Sequence, residues 1–357
     1  MIQSSLKRFN RDMFNVARAA KGFSQSELAK KSNVTQALIS KIENGLTVEP
    51  SDETVSSLAE ALGFPFHFFY SDEEPHGLPP FHYRRRQKVG KKALSKIEAD
   101  INLRRIHLSK LFKSYEPEIS REIPIIDAHN KGWTPSQAAE HMRGYWMVPR
   151  GPVKNVTELI EGAGGIVIKM DFGTRHLEAL SFRLPTMPPL IFINQNLNGS
   201  LYRHVLAHEL GHLIMHNHPE TDECMEEEAD EFAAEFLTPA KEIRPYISKP
   251  SLGRLARIKP HWKVSIKALI VRCERLKLIT PNQYRGLNIN YSKAGYSRGE
   301  PHQIEQEDSK TLHKAIDFHL TKLGYSVEEM ANALMVTEPH FKEMYQPNIR
   351  PRLRLVE

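Results

Sequence analysis

His208 and His212 stand four residues apart with Glu209 beside the first, inside the run RHVLAHELGHLIMH. No other feature constrains the chain as strongly, because side chains four apart on an α-helix share one face, a turn apart. Both imidazoles can then reach a single ion. Glu209 lies about 100° further round the helix, close enough to hold a water without acting as a ligand. Val205, Leu206, Leu210, Leu213 and Ile214 make the buried side, which places the helix under the floor of a cleft. Zinc bound there would lower the pKa of a water toward neutrality, with Glu209 taking its proton during attack on a carbonyl.

Such a site needs a third protein ligand. His218 lies six residues beyond His212, a spacing that works when a glycine breaks the helix, but Met215 stands at that place and carries the helix on. Geometry favours Glu226, which shares a helix face with Ala229, Asp230, Ala233 and Leu237. The two alanines permit a close approach between helices, and Asp230 can orient a ligand imidazole from behind. Glu227 and Glu228 are expected in solvent, His204 and His216 as helix-end caps or surface rings, and Cys224 as a partly buried thiol. Tyr202, His176 or Tyr246 could polarise the carbonyl, and the residues do not choose among them.

The 357 residues suit two or three domains. With 40% hydrophobic and 26% charged residues, the chain is neither disordered nor built on disulfides, and it has only two cysteines. No apolar run approaches the roughly 18 residues of a membrane span, and the polar start MIQSSLKRFN is no signal peptide, so a cytoplasmic address is expected. The net charge of +6 hides an asymmetry: residues 81–114 carry eleven Lys/Arg against two acids, and residues 219–242 carry ten acids against one Lys. The basic block suits phosphate or a wet helix face, and the acidic block a metal site or plain solubility.

Periodicity predicts a mainly α fold with a small β-sheet, an α+β class. Short capped helices fill residues 1–70, with Ser24 and Glu27 forming a capping box and Leu38 and Ile42 as the inward pair of the third helix. A long helix follows from about Lys91 to Lys113. Its Leu94, Ile97, Ile101, Leu108 and Leu111 make either a dimer seam or a face packed on the second domain. GIVIKM and PLIFIN read as strands, and a substrate strand could add to the edge of the second. Tyr325–Tyr345 aligns without a gap on Phe23–Glu43, an internal echo whose Glu338, Pro339 and Glu343 suit a packing module rather than a DNA reader. The expected domains are residues 1–72, a basic linker and helix at 73–122, a central zincin-like domain at 123–301, and a helical module at 302–357.

With EEEADEFAAEFLTP after RHVLAHELGHLIMH, the PLIFIN strand before it and the segment from Trp262 to Pro301, the stretch Thr134–Pro301 resembles the ImmA/IrrE family of zinc metallopeptidases. That resemblance implies zinc on His208, His212 and Glu226, with Glu209 as catalytic base. It further implies cleavage of a helix-turn-helix repressor, which switches on stress or mobile-element genes.

Residues 8–69 resemble the phage-repressor (Cro/C1, or XRE) helix-turn-helix class through SQSELAKKSNVTQALISKIENG. A recognition helix of that kind lies in the major groove of double-stranded DNA. Thr35, Gln36 and Ser40 would project outward, with Gln36 suited to adenine, while Gln25, Lys41 and Asn44 would contact phosphates. The domain's own charge is nearly balanced, so binding would rely on a homodimer on a palindromic operator, helped by Arg84, Arg85 and Arg86.

Two functions remain in view. One is a DNA-binding regulator with a zinc endopeptidase that cleaves a repressor, an antitoxin or its own Ser71–Pro80 linker. The other is a repressor or antitoxin whose zinc site is structural or ligand-sensing.

Overall fold

The structure, a computed structural model, describes residues 8–47, 49–77, 89–185, 187–216 and 223–345. Arg84–Arg86, His218 and the end of the Ser71–Pro80 segment lie outside the described residues. The first helices are α1 (Arg11–Lys21), α2 (Gln25–Ser32), α3 (Gln36–Glu43) and α4 (Asp52–Leu62); a 3-10 turn at Phe66–Tyr70 precedes α5 (Lys91–Leu111). Next come α6 (Ala128–Lys131), α7 (Pro135–Tyr145), α8 (Val156–Gly162), β1 (Ile166–Met170), β2 (Ala179–Leu184) and β3 (Met187–Asn194). The long pair α9 (Gly199–Met215) and α10 (Glu223–Leu237) follows, then α11 (Ala240–Ile247), α12 (Leu252–Trp262), α13 (Ile266–Arg275) and α14 (Pro281–Lys293). Helices α15 (Thr311–Thr321), α16 (Val327–Ala333) and α17 (Glu338–Tyr345) close the described chain. The fold is mainly α with one small sheet, the class that periodicity indicates.

Contacts divide the described residues into two compact units. One comprises 8–77, 89–116 and 312–345; the other comprises 117–311.

In the first unit, local caps set the helix ends. Asn10 caps α1 by accepting from the backbone of Asp12 and Met13, and Ser24 and Glu27 form the capping box of α2. Asn33 turns the chain with φ 55°, in the left-handed region that a short polar side chain tolerates, and Thr35 caps α3. The inward pair of α3 is Ile39 with Ile42, both fully buried, whereas Leu38 is only half-buried. This corrects the expected Leu38–Ile42 pair: with Thr35 as cap, positions three apart face the core.

Helix α5 packs along α1. Its Ile97, Ile101, Leu108 and Leu111 are at most 2% exposed, with Ala99, Leu103 and Ile106 buried beside them. These residues are covered by their own chain, so they are a packing face and not an open dimer seam. Helices α16 and α17 repeat the α2–turn–α3 design. Ser326 and Glu329 form a capping box, and Met335 takes φ 58° where Asn33 takes 55°. Met330 and Phe341 are buried where Leu28 and Ile39 are buried. Methionine has no polar side chain to favour this conformation, which costs about 1–2 kcal/mol, so the surrounding packing must hold it.

In the second unit, the sheet order is β1-β3-β2. β3 pairs with β1 in parallel, Ile166 opposite Leu190 and Met170 opposite Asn194, and with β2 antiparallel, Ala179 opposite Ile193. Both edges of β3 are therefore filled, and it cannot accept a substrate strand as expected. Its continuous run Leu190–Ile193, buried on both faces, is the pattern of a central strand. The alanines of α10 and Gly211 of α9 let those two helices pack closely, since a Cβ on Gly211 would stand 3.1 Å from Phe232. Trp146, Trp262, Tyr202, Phe232 and Phe236 fill the core around them.

Candidate metal centre and DNA-reading face

Helix α9 begins at Asn198, whose side chain accepts from the Leu201 backbone, and fifteen of its residues are buried. His208 and His212 project from it on one face, and Glu226 of α10 comes between them. Nε2 of His208 lies 3.1 Å from Nε2 of His212 and 3.6 Å from Oε2 of Glu226, and Nε2 of His212 lies 3.3 Å from Oε1 of Glu226. Among the described residues, this is the one trio of His, Cys, Asp or Glu side chains whose ligand atoms crowd together so closely.

Each imidazole is also held from behind. Nδ1 of His208 lies 2.8 Å from Oδ1 of Asp230, which Nε2 of His204 approaches to 3.6 Å. Nδ1 of His212 lies 2.9 Å from Nδ1 of His216, and Nε2 of His216 lies 2.8 Å from Oε2 of Glu228. Burial opposes the charge on Glu226, but hydrogen bonds from His208 and His212 outweigh it and hold the carboxyl well below the usual range. Asp230 is lowered in the same way, against burial, by His204 and His208. On His208 burial resists a proton, yet hydrogen bonds to Asp230 and Glu226 raise the pKa to about 9. Two ring nitrogens 3.1 Å apart beside a carboxylate call for something positive between them, a proton or a cation.

Glu209 has no exposed surface. The hydroxyl of Ser181 on β2 donates to its Oε2 at 2.5 Å. Ser181 was missed with β2, although the alternation of Leu180, Phe182 and Leu184 with Ser181 and Arg183 was the available signal. Glu228 is 18% exposed and bonded to His216, not solvated, while His216, at the C-cap of α9 as a helix-end residue, is buried beside the trio and is no surface ring. Its position one turn beyond His212 was the available clue. Cys224 is exposed, not partly buried, and its thiol donates to Oε1 of Glu228 at 3.7 Å. Of the carbonyl-polarising candidates, Tyr202 is fully buried with its hydroxyl 3.4 Å from Oγ1 of Thr157, and burial raises its pKa to about 12. Tyr246 packs edge-on against Trp262, and His176 is exposed in the loop after β1.

Residues 161–274 match the IrrE N-terminal-like domain. That IrrE-like segment holds every side chain of the cluster just described. Residues 16–69 match the helix-turn-helix family, in the chain order DNA-binding module first, peptidase-family module second. No curated protein matches the chain. Among the described residues no helix is long and apolar enough to cross a membrane.

On the helix-turn-helix module, Gln36, Ala37, Lys41 and Asn44 are exposed along α3, with Thr35 exposed at its cap and Ser40 half-buried. Asn44 donates to the backbone oxygen of Ser40 at 2.8 Å. Gln25 is half-buried and donates to Oε2 of Glu43 at 2.6 Å, and Glu43 also pairs with Arg18. The Gln25 amide thus ties α2 to the end of α3.

Proposed function

We propose that this chain is a cytoplasmic, DNA-binding transcriptional regulator carrying a zinc-dependent endopeptidase. The observation that carries this reading is the triangle of His208, His212 and Glu226 with Glu209 fixed beside it. A tetrahedral zinc with bonds of about 2.0–2.1 Å has ligand–ligand edges of roughly 3.3–3.4 Å, and the three separations here bracket that length. Two imidazoles and one carboxylate leave a fourth position open, as in catalytic rather than structural sites. Zinc held there would polarise a scissile carbonyl and acidify the attacking water.

Glu209 would take the proton on its carboxylate and return it to the leaving amine, and Ser181, donating to Oε2, holds that carboxylate in one rotamer. An extended substrate would add to β2, the one of the sheet's two edge strands that reaches Glu209, through Ser181. Self-cleavage at residues 71–77 is disfavoured. Asn10 donates to the carbonyls of Ser71 and Glu73, Arg105 donates to that of Glu74, and Asn102 bonds both backbone groups of His76. Four carbonyls of that segment are engaged before any strand could form, which favours a separate helix-turn-helix repressor or antitoxin as the substrate. DNA would be read by Gln36 with Thr35 and Ser40, with Lys41, Asn44 and Gln25 at the phosphates, by a homodimer on a palindromic operator.

Incubating the zinc-loaded full-length protein with candidate repressors, beside Glu209→Gln, tests the reading. Cleavage by the wild type and none by Glu209→Gln is the expected result. The complete burial of Glu209 favours the second reading, a regulator whose metal site is structural or ligand-sensing. That reading prevails if neither protein cuts anything while both still bind zinc and DNA.

A further inference from the structure

Behind the three candidate ligands runs a line of contacts that the hydrolytic chemistry does not itself require. His216 stands one helical turn past His212 at the C-cap of α9, with its side chain 2% exposed. Oε2 of Glu228, from the first half of α10, lies 2.8 Å from its Nε2. An ionised carboxylate can only accept, so the hydrogen on that line belongs to Nε2 of His216. In the neutral ring, Nδ1 of His216 is then a lone pair, and the hydrogen on the 2.9 Å line between the rings belongs to Nδ1 of His212. A neutral imidazole carrying hydrogen on Nδ1 has its lone pair on Nε2. That atom of His212 faces Nε2 of His208 and Oε1 of Glu226.

The donor order runs one way, from His212 through His216 to Glu228, and leaves the candidate ligand atom unprotonated. His208 receives the same service directly from Asp230. On this side a second imidazole spans the extra distance to the carboxylate.

We propose that His216 and Glu228 are positioning residues for the metal ligand His212, fixing its tautomer and ring plane so that Nε2 presents a lone pair to a divalent cation. The inference rests on the metal-site reading above, and its test separates the two. Full-length protein is stripped with chelator and titrated with Zn²⁺ against a chromogenic competitor, for the wild type, Glu226→Gln, Glu228→Gln, Glu228→Asp and His216→Gln. Loss of an outer partner of this kind weakens metal affinity by about 10–100-fold. That loss is expected for Glu228→Gln and His216→Gln, with Glu228→Asp recovering most of it. The metal-free melting temperature of Glu228→Gln should stay near the wild-type value. Imidazole ¹⁵N spectra should show His212 as the Nδ1–H tautomer in the wild type and as a mixture in Glu228→Gln.

If Glu228→Gln and His216→Gln bind zinc as tightly as the wild type while Glu226→Gln does not, the positioning role falls and the metal site stands. If Glu226→Gln binds as tightly as the wild type, or the wild type binds none, the metal site falls and takes this inference with it.

Discussion

Glu307→Ala should destabilise the unit of residues 117–311 by about 3–5 kcal/mol, the usual cost of stripping one partner from a buried ion pair. The Glu307 carboxylate is 8% exposed and pairs with Arg203 of α9, which is 1% exposed. Its Oε2 also accepts from the backbone N–H and the hydroxyl of Thr157, at 2.8 and 2.9 Å. Burial lowers the Arg203 pKa only to about 10, so the guanidinium stays charged at neutral pH and would be left facing a void. One anchor survives, since Arg203 also donates to the Val153 carbonyl at 2.6 Å. The three tryptophans, Trp133, Trp146 and Trp262, all lie in this unit, so their fluorescence during urea unfolding reports on it alone. With a urea slope near 2 kcal/mol/M, the midpoint should fall by roughly 1.5–2.5 M. The double substitution Arg203→Met with Glu307→Met should be more stable than Glu307→Ala, because it buries no unpaired charge. A loss below about 1 kcal/mol, or a double variant no better than the single, would refute the reasoning.

Ile39→Ala should cost about 2–5 kcal/mol of stability in the helix-turn-helix unit and Leu38→Ala under about 1.5, because only Ile39 is fully buried; equal losses in chemical unfolding would count against the assigned phase of α3. Burial, aided by Arg104, pushes the His107 pKa down to about 3. Below the unfolded value near 6.5 the unfolded chain takes up a proton that the folded one refuses, so stability should fall with falling pH by about 1.4 kcal/mol per pH unit. His107→Asn should flatten that slope in circular dichroism melts between neutral and mildly acid pH. A Cβ on Gly199 would stand 2.2 Å from the Ile304 carbonyl oxygen, so Gly199→Ala should lift the 302–310 strap and open it to limited proteolysis. Ser181→Ala should leave zinc affinity unchanged while cleavage falls about 10–100-fold, and unchanged cleavage would remove Ser181 from the mechanism.

Helix ends were legible because capping is local: Ser24 with Glu27, Asn33 and Gly63 each act through neighbours within a few residues. The cluster was partly legible for the same reason, since His208 and His212 share a helix face whatever the rest of the chain does. Strand β2 was not foreseen. Yet Leu180, Phe182 and Leu184 alternate with Ser181 and Arg183, the period-two pattern of a strand, so the signal was present in the sequence, and β2 pairs with β3. The filled edges of β3 could have been anticipated, since an apolar run buried on both faces belongs in the middle of a sheet.

Composition and local spacing by themselves determined a mainly helical chain, a helix-turn-helix near its start and a two-histidine helix able to hold an ion. Only the tertiary structure decided that Glu228 and His216 stand behind His212, that Ser181 grips Glu209, and that α5 buries its seam in its own unit. Those outcomes depend on how α9 crosses α10, on strand order and on the packing of α5 along α1. Each is set by contacts between residues far apart in sequence, and no short-range pattern encodes them.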